Sequence, residues 1–128
     1  MTATASSLFD SIPREDKFEL FNGSEPNAKK VIDFLSYKKA DVSVAASIPR
    51  DSVRYDEKMP AILREHITNW AIAINLVGNY FNDEHKTVLW FQTVNPLLGN
   101  VSPKQMIRAG RFKKLLKFIQ TALEENSR

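Results

Sequence analysis

Six large apolar side chains, Leu63, Ile67, Trp70, Ile74, Val77 and Phe81, recur at spacings of 4, 3, 4, 3 and 4. That seam fits about five turns of one α-helix, the longest regular element the sequence implies. Ile62, Ile72, Ala73 and Leu76 widen the apolar face beyond a single stripe. A helix this broadly apolar must be covered on more than one side. The rest of the chain therefore has to wrap around it, or two copies have to pair across it. The first arrangement, a central core helix, is the favoured reading, and a homodimer is the other. Arg64, Glu65, His66, Asn69 and Asn75 interrupt the same stretch. A membrane span needs about 20 almost wholly apolar residues, so this helix is buried in protein and no membrane is expected.

The other elements are short. At 128 residues the chain is one domain's worth, or two small helical pieces sharing a core. It is 43% hydrophobic and 26% charged, enough apolar material for a real core. Four glycines and six prolines are too few for the recurring turns of a many-stranded β fold. The expected class is all-α, with an N-terminal helix-turn-helix-like bundle, a long linking helix and a small C-terminal helical domain. No cysteine is present, which excludes disulfides, thiolate metal sites and cysteine nucleophiles and fits a reducing cytoplasm. Met1 to Ser7 carry no positive charge and no long apolar core, so no signal peptide is expected and the predicted location is cytoplasmic.

Residues 1–26 have no sustained period: Phe9, Ile12, Phe18, Leu20 and Phe21 are scattered, and Asn22-Gly23 signals a turn. They read as a loosely docked arm, partly disordered at its start. Residues 27–81 hold a helix entered at Asn27 and closed by Lys38-Lys39-Ala40, then a helix-turn-helix spacing over residues 41–55, then the long helix. In the helix-turn-helix, Pro49 suits the first turn of the second helix, and Val42, Ala46, Ile48 and Val53 supply the contacts between the two. Residues 82–128 begin with a helix capped by Asp83 that carries Val88, Leu89, Trp90 and Phe91. Pro96 forces Asn95 out of helix and Gly99 can take positive φ. Ser102-Pro103 restarts a short helix that Gly110 ends, and a last amphipathic helix runs from about Arg111 to Glu125.

Charge alternates along this order. Residues 1–26 carry net −3, 27–64 net +3, 65–100 net −2 and 101–128 net +5. Two basic islands of this kind serve nucleic acid, an acidic protein surface or simply solvated helix faces. Catalytic chemistry finds no constellation. The two histidines, His66 and His85, lie in separate helices, and Glu65-His66 lacks the second histidine of a helical zinc site. There is no phosphate-binding glycine loop and no nucleophile elbow. No cofactor, metal site or catalytic residue is expected, and the chain reads as a non-enzyme.

The stretch from Leu89 to Ile119 resembles the toxin-binding domain of the Xre/MbcA/ParS antitoxins. That pattern runs Trp-Leu, Asn-Pro-x-Leu-Gly-Gly, Thr/Ser-Pro, a short helix ending in Gly, and an amphipathic helix. Here it reads Trp90-Phe91, Asn95-Pro96-Leu97-Leu98-Gly99, Ser102-Pro103, Gly110, and Leu115-Leu116 with Ile119. Residues 38–81 look like the family's degenerate helix-turn-helix and linking helix, so the resemblance spans roughly residues 28–123. Asn100 replaces the second Gly, Ser47 replaces the helix-turn-helix Gly, and Phe91 replaces the common Leu. The first two substitutions need only tolerate turn geometry. The resemblance implies a type II antitoxin that blocks a cognate toxin, usually a RES-domain enzyme that destroys NAD, dimerises, and represses its own operon by binding operator DNA. A stand-alone helix-turn-helix transcriptional regulator is the alternative.

Candidate contacts follow from chemistry at those positions. Arg50, Ser52 and Arg54 would open a recognition helix, where N-terminal residues reach base edges, and Lys38 and Lys39 would hold phosphates. Trp90, Pro96, Leu97 and Leu98 read as core residues or loop pins, and Asn95 as a local backbone partner. Toxin contact is assigned to exposed polar residues of the last two helices: Lys104, Arg108, Arg111 and Lys114, with Glu124, Glu125 and Arg128 in the tail.

Overall fold

A computed structural model describes residues 15–126. The disorder expected at the chain's start and the contact assigned to Arg128 fall outside those residues. A two-stranded antiparallel hairpin, β1 (Phe21–Asn22) and β2 (Glu25–Pro26), is followed by α1 (Ala28–Leu35) and α2 (Lys39–Ala46). A single 3-10 turn (Arg50–Ser52) then precedes α3 (Ala61–Phe81), α4 (Glu84–Gln92), a second 3-10 turn (Pro96–Leu98), α5 (Pro103–Arg108) and α6 (Phe112–Asn126). The all-α expectation holds.

The 21-residue α3 is the axis of the molecule, entered at Pro60. It packs against α1, α2, α4, α6 and β2. Leu63, Ile67, Trp70, Ile74 and Val77 of its seam are buried and Phe81 is half-buried. Trp70 meets Tyr37 edge-on at 5.9 Å between ring centroids, and Phe34 meets Phe91 edge-on at 6.2 Å. The Phe34–Phe91 contact joins elements on both sides of residue 82, and one continuous core from Leu20 to Ile119 serves both halves. Removing that much apolar surface from water is the dominant stabilising term.

The helix ends follow from capping. Asn27 and Asp83 accept from the backbone N–H groups of Lys30 and Lys86. Helices α1 and α2 stop at Ser36 and Ser47, both left-handed, at φ 56° and 55°. The following N–H groups turn back in the 6→1 pattern: Tyr37 to Ile32 and Ile48 to Ser43. Ser47 thus takes the conformation that a glycine holds more cheaply. The Lys38-Lys39-Ala40 stop is corrected by this geometry. The first helix ends earlier, at Ser36, and Lys39 already opens α2.

The second helix of the helix-turn-helix is also corrected: Arg50–Ser52 make one 3-10 turn and Val53 is extended, at φ −79° and ψ 101°. Val53 alone in this turn reaches the core, at 4% exposure. A helix of so few residues with one apolar anchor is not self-supporting. Beyond it, Asp56 closes its own turn by accepting from Lys58 N–H and from both Nε and Nη2 of Arg54.

The arm does not dock loosely where it is described. Asp16 accepts from Leu20 N–H at 2.8 Å, Phe21 N–H at 3.0 Å and Asn75 Nδ2 at 3.1 Å. Leu20 is 1% exposed, and Phe18 stacks on Phe34 at 5.7 Å. No helix among the described residues is long and apolar enough to cross a membrane.

Candidate functional site

The loop after α4 is closed on itself by Asn95. Its Oδ1 accepts from Leu97 N–H at 2.9 Å, and its carbonyl accepts from Leu98 and Asn100 N–H at 3.0 and 3.1 Å. Its own N–H donates to Val101 O at 3.0 Å, an isolated antiparallel bridge. Gly99 and Asn100 complete the reversal at φ 84° and 65°, conformations that glycine and asparagine hold with least strain. Ser102 then forms a capping box: its Oγ accepts from Gln105 N–H, and Gln105 Oε1 accepts from Ser102 N–H. Pro103 fills the first turn of α5 and Gly110, at φ 78°, ends it. Asn95, Pro96, Gly99, Ser102, Pro103 and Gly110 thus do the local work expected of them.

A loop pinned this way also fixes the direction of Leu97. The 3-10 turn directs Leu97 outward, leaving it 78% exposed, the most of any large apolar side chain described. Leu97 is therefore neither core nor pin. Trp90 and Leu98 pack only partly against the core and Pro96 is exposed, whereas Phe91 is fully buried. The reason is helical phase: α4 presents Phe91 to α1, and adjacent Trp90 points about 100° away. Leu97 and Trp90 line a groove of about 230 Å³ with Tyr80, Phe81, Phe118 and Leu123. Tyr80 is itself 53% exposed, so α3, α6 and the loop frame an open apolar surface.

Of the residues assigned to toxin contact, Arg111, Lys114, Glu124 and Glu125 are exposed on or beside α6. Of the other two described, Lys104 is half-buried and Arg108 is exposed but ion-paired within the fold. The Lys104 carbonyl accepts the Tyr37 hydroxyl, and Arg108 Nε lies 2.7 Å from Asp41 Oδ1. These contacts bring α5 onto α2, so Lys38 and Lys39, assigned to DNA, share one end of the molecule with Lys104 and Arg108. Asp41 sits among these cations. The Lys38 N–H that it accepts, then Arg108 beside it, hold its carboxyl below the usual range. Burial pushes the Tyr37 hydroxyl well above its ordinary pKa.

The residues assigned to base reading are not presented on a helix. Arg50 is exposed and Ser52 half-buried in the 3-10 turn, while Arg54 is held by Asp56 at 2.9 and 2.7 Å. Among the described residues no group of three or more His, Asp or Glu side chains is placed to hold a metal ion. Partial burial lowers the His66 pKa, only partly offset by Glu65, and its ring lies 6.0 Å from Trp70. Compared with known proteins, the chain matches no family model, no curated protein and no solved structure.

Proposed function

We propose that this protein is an antitoxin of the Xre/MbcA/ParS type, which binds a toxin enzyme through the Asn95–Gly99 loop and the groove beside it and so blocks its active site. The observation that carries this reading is Leu97, a large apolar side chain held in solvent by a loop with at least four defined hydrogen bonds. One exposed leucine is ordinary, but Leu97 is continuous with Tyr80, Trp90 and Phe118 along the groove, and a contiguous apolar patch favours a partner that covers it. Burying Leu97 contributes roughly 1.5–3 kcal/mol, the size of an interface hot spot. The motif resemblance adds the kind of partner: a RES-domain enzyme that degrades NAD, encoded beside this protein and acting in the cytoplasm.

Homodimerisation and autorepression belong to the same proposal. The structure changes the expected DNA contact, however. With Arg50–Ser52 a single 3-10 turn in place of the expected recognition helix, operator binding draws on the cations that α2 and α5 bring together, Lys38, Lys39, Lys104 and Arg108. Phosphate contacts of that kind weaken steeply with salt.

The deciding experiment is coexpression. The adjacent gene is expressed alone, with this protein, and with its Leu97→Asp variant, and growth and cellular NAD are followed. Arrest alone, rescue by the native chain and no rescue by the variant are expected. A harmless neighbour, or rescue by the variant equal to the native chain, would overturn the proposal.

A further inference from the structure

Helix α6 carries its charges against its own dipole. Arg111, Lys113 and Lys114 stand at its N-terminal end and Glu124 and Glu125 at its C-terminal end, with no acid in the first turn and no base in the last. Aligned peptide dipoles favour the opposite arrangement, acids first and bases last. Helices α2 and α4 follow that rule, with Asp41 and Glu84 in their first turns, whereas α1 is reversed as α6 is, with Lys29 and Lys30 at its start and Asp33 near its end. The reversal in α6 falls on the helix that walls the groove. Arg111, Lys114, Phe118, Ala122 and Glu125 follow one another at spacings of 3, 4, 4 and 3, a single stripe along the helix. Phe118 and Ala122, at its middle, line the groove directly. The stripe therefore runs basic, apolar, acidic over about 21 Å.

We propose that the groove between α3, α6 and the Leu97 loop receives an amphipathic helix of the partner, lying parallel to α6, with an acidic N-terminal turn at Arg111 and Lys114, an apolar face against Phe118, Leu97 and Tyr80, and a basic C-terminal turn at Glu125. A helix whose charges obey its own dipole has this polarity, so α6 is complementary to an ordinary partner helix in the parallel sense and repels it in the antiparallel sense. The groove's apolar lining and open mouth suit a helix laid along it, with anchors at i, i+3 or i+4, and i+7. The inference rests on the antitoxin reading for the partner's identity, but the groove's preference is testable without it.

The test uses the full chain and two helical peptides of roughly 16 residues, enough to span the stripe. Both carry one Leu/Trp stripe. One has two Glu in its first turn and two Lys in its last, and the other has these charges exchanged. Binding is followed by fluorescence anisotropy and by shifts of the Leu97 methyl and Trp90 indole resonances. Each peptide also carries a nitroxide at its N-terminus, which reports its direction. The first peptide is expected to lie parallel to α6, broadening the Lys114 amide more than that of Glu125, and the second to lie antiparallel with the reverse pattern, both preferences closing near 1 M salt. In the Arg111→Glu/Lys114→Glu/Glu125→Lys chain the two directions exchange. No binding of the first peptide, the same direction for both peptides, or no exchange of direction in the variant overturns the inference. Charge-ordered binding without growth rescue refutes the antitoxin reading alone, and rescue without charge-ordered binding refutes the helix inference alone.

Discussion

Gly78 lies in the last turn of α3, where replacement by alanine is expected to stabilise a helix by up to about 0.8–1 kcal/mol. Here the opposite is predicted. A Cβ at this position would stand 2.9 Å from Phe18 Cζ and closer still to Cε2, inside any permissible contact. The helix backbone cannot yield, so the Phe18 ring must leave. It then loses its stacking on Phe34 at 5.7 Å, worth about 0.5–1.5 kcal/mol, and its half-buried area, worth roughly another 1–2 kcal/mol. The net effect of Gly78→Ala is a loss of about 1 kcal/mol, or a fall in Tm of about 3–5 °C. Phe18→Ala alone should cost about 2 kcal/mol. In that background Gly78→Ala should change sign and restore about 1 kcal/mol, because only the helix term remains. Chemical denaturation of the four proteins gives the cycle, and amide exchange of residues 16–26 should accelerate in Gly78→Ala. A rise in Tm from Gly78→Ala in both backgrounds would show that Phe18 is not seated on the glycine, and the account of the docked arm would fail.

Four further outcomes are expected. Leu97→Asp should leave Tm within about 1 °C, since the side chain is 78% exposed, yet weaken the toxin complex at least tenfold by calorimetry; an unfolded variant or an unchanged affinity would contradict this. Asp41 has a depressed folded pKa, so its stabilising contribution is present above the ordinary carboxylate value of about 3.9 and is lost as pH falls through the folded one; Asp41→Asn should cost about 1 kcal/mol at neutral pH and flatten the acid limb of the stability curve. Ser47→Gly relieves a left-handed serine and should raise stability by up to about 1 kcal/mol by urea denaturation, with no change in partner binding. Lys114→Glu/Glu125→Lys, which removes part of the reversed polarity of α6, should stabilise the isolated chain by a few tenths of a kcal/mol at low salt while weakening the toxin complex; a destabilised free chain would refute the dipole argument.

Removal of residues 101–128 is not a clean test of toxin contact. Ile107, Leu115, Leu116 and Ile119 are buried in the shared core, so the truncation would disturb α3 as well. Point changes at exposed positions separate binding from folding.

What the sequence alone determined is what local chemistry determines. The seam from Leu63 to Phe81 specified a long buried helix because periodicity is a property of neighbouring residues. Asn27, Asp83, Ser102-Pro103 and Gly110 specified helix ends because a cap is settled within a few residues. The loop from Asn95 to Gly99 was legible for the same reason: every hydrogen bond that closes it comes from within seven residues. Tertiary structure decided the rest. Whether residues 50–54 become helix depends on Val53 being drawn into a core built by other elements, and that competition has no local signature. The docking of the arm depends on a glycine some 60 residues away that leaves room for one ring. Arg108 looked like a free surface cation until α5 came to rest on Asp41. Leu97 looked like core because leucine usually is, and only the direction of a pinned 3-10 turn, set against the groove walls of α3 and α6, placed it in solvent.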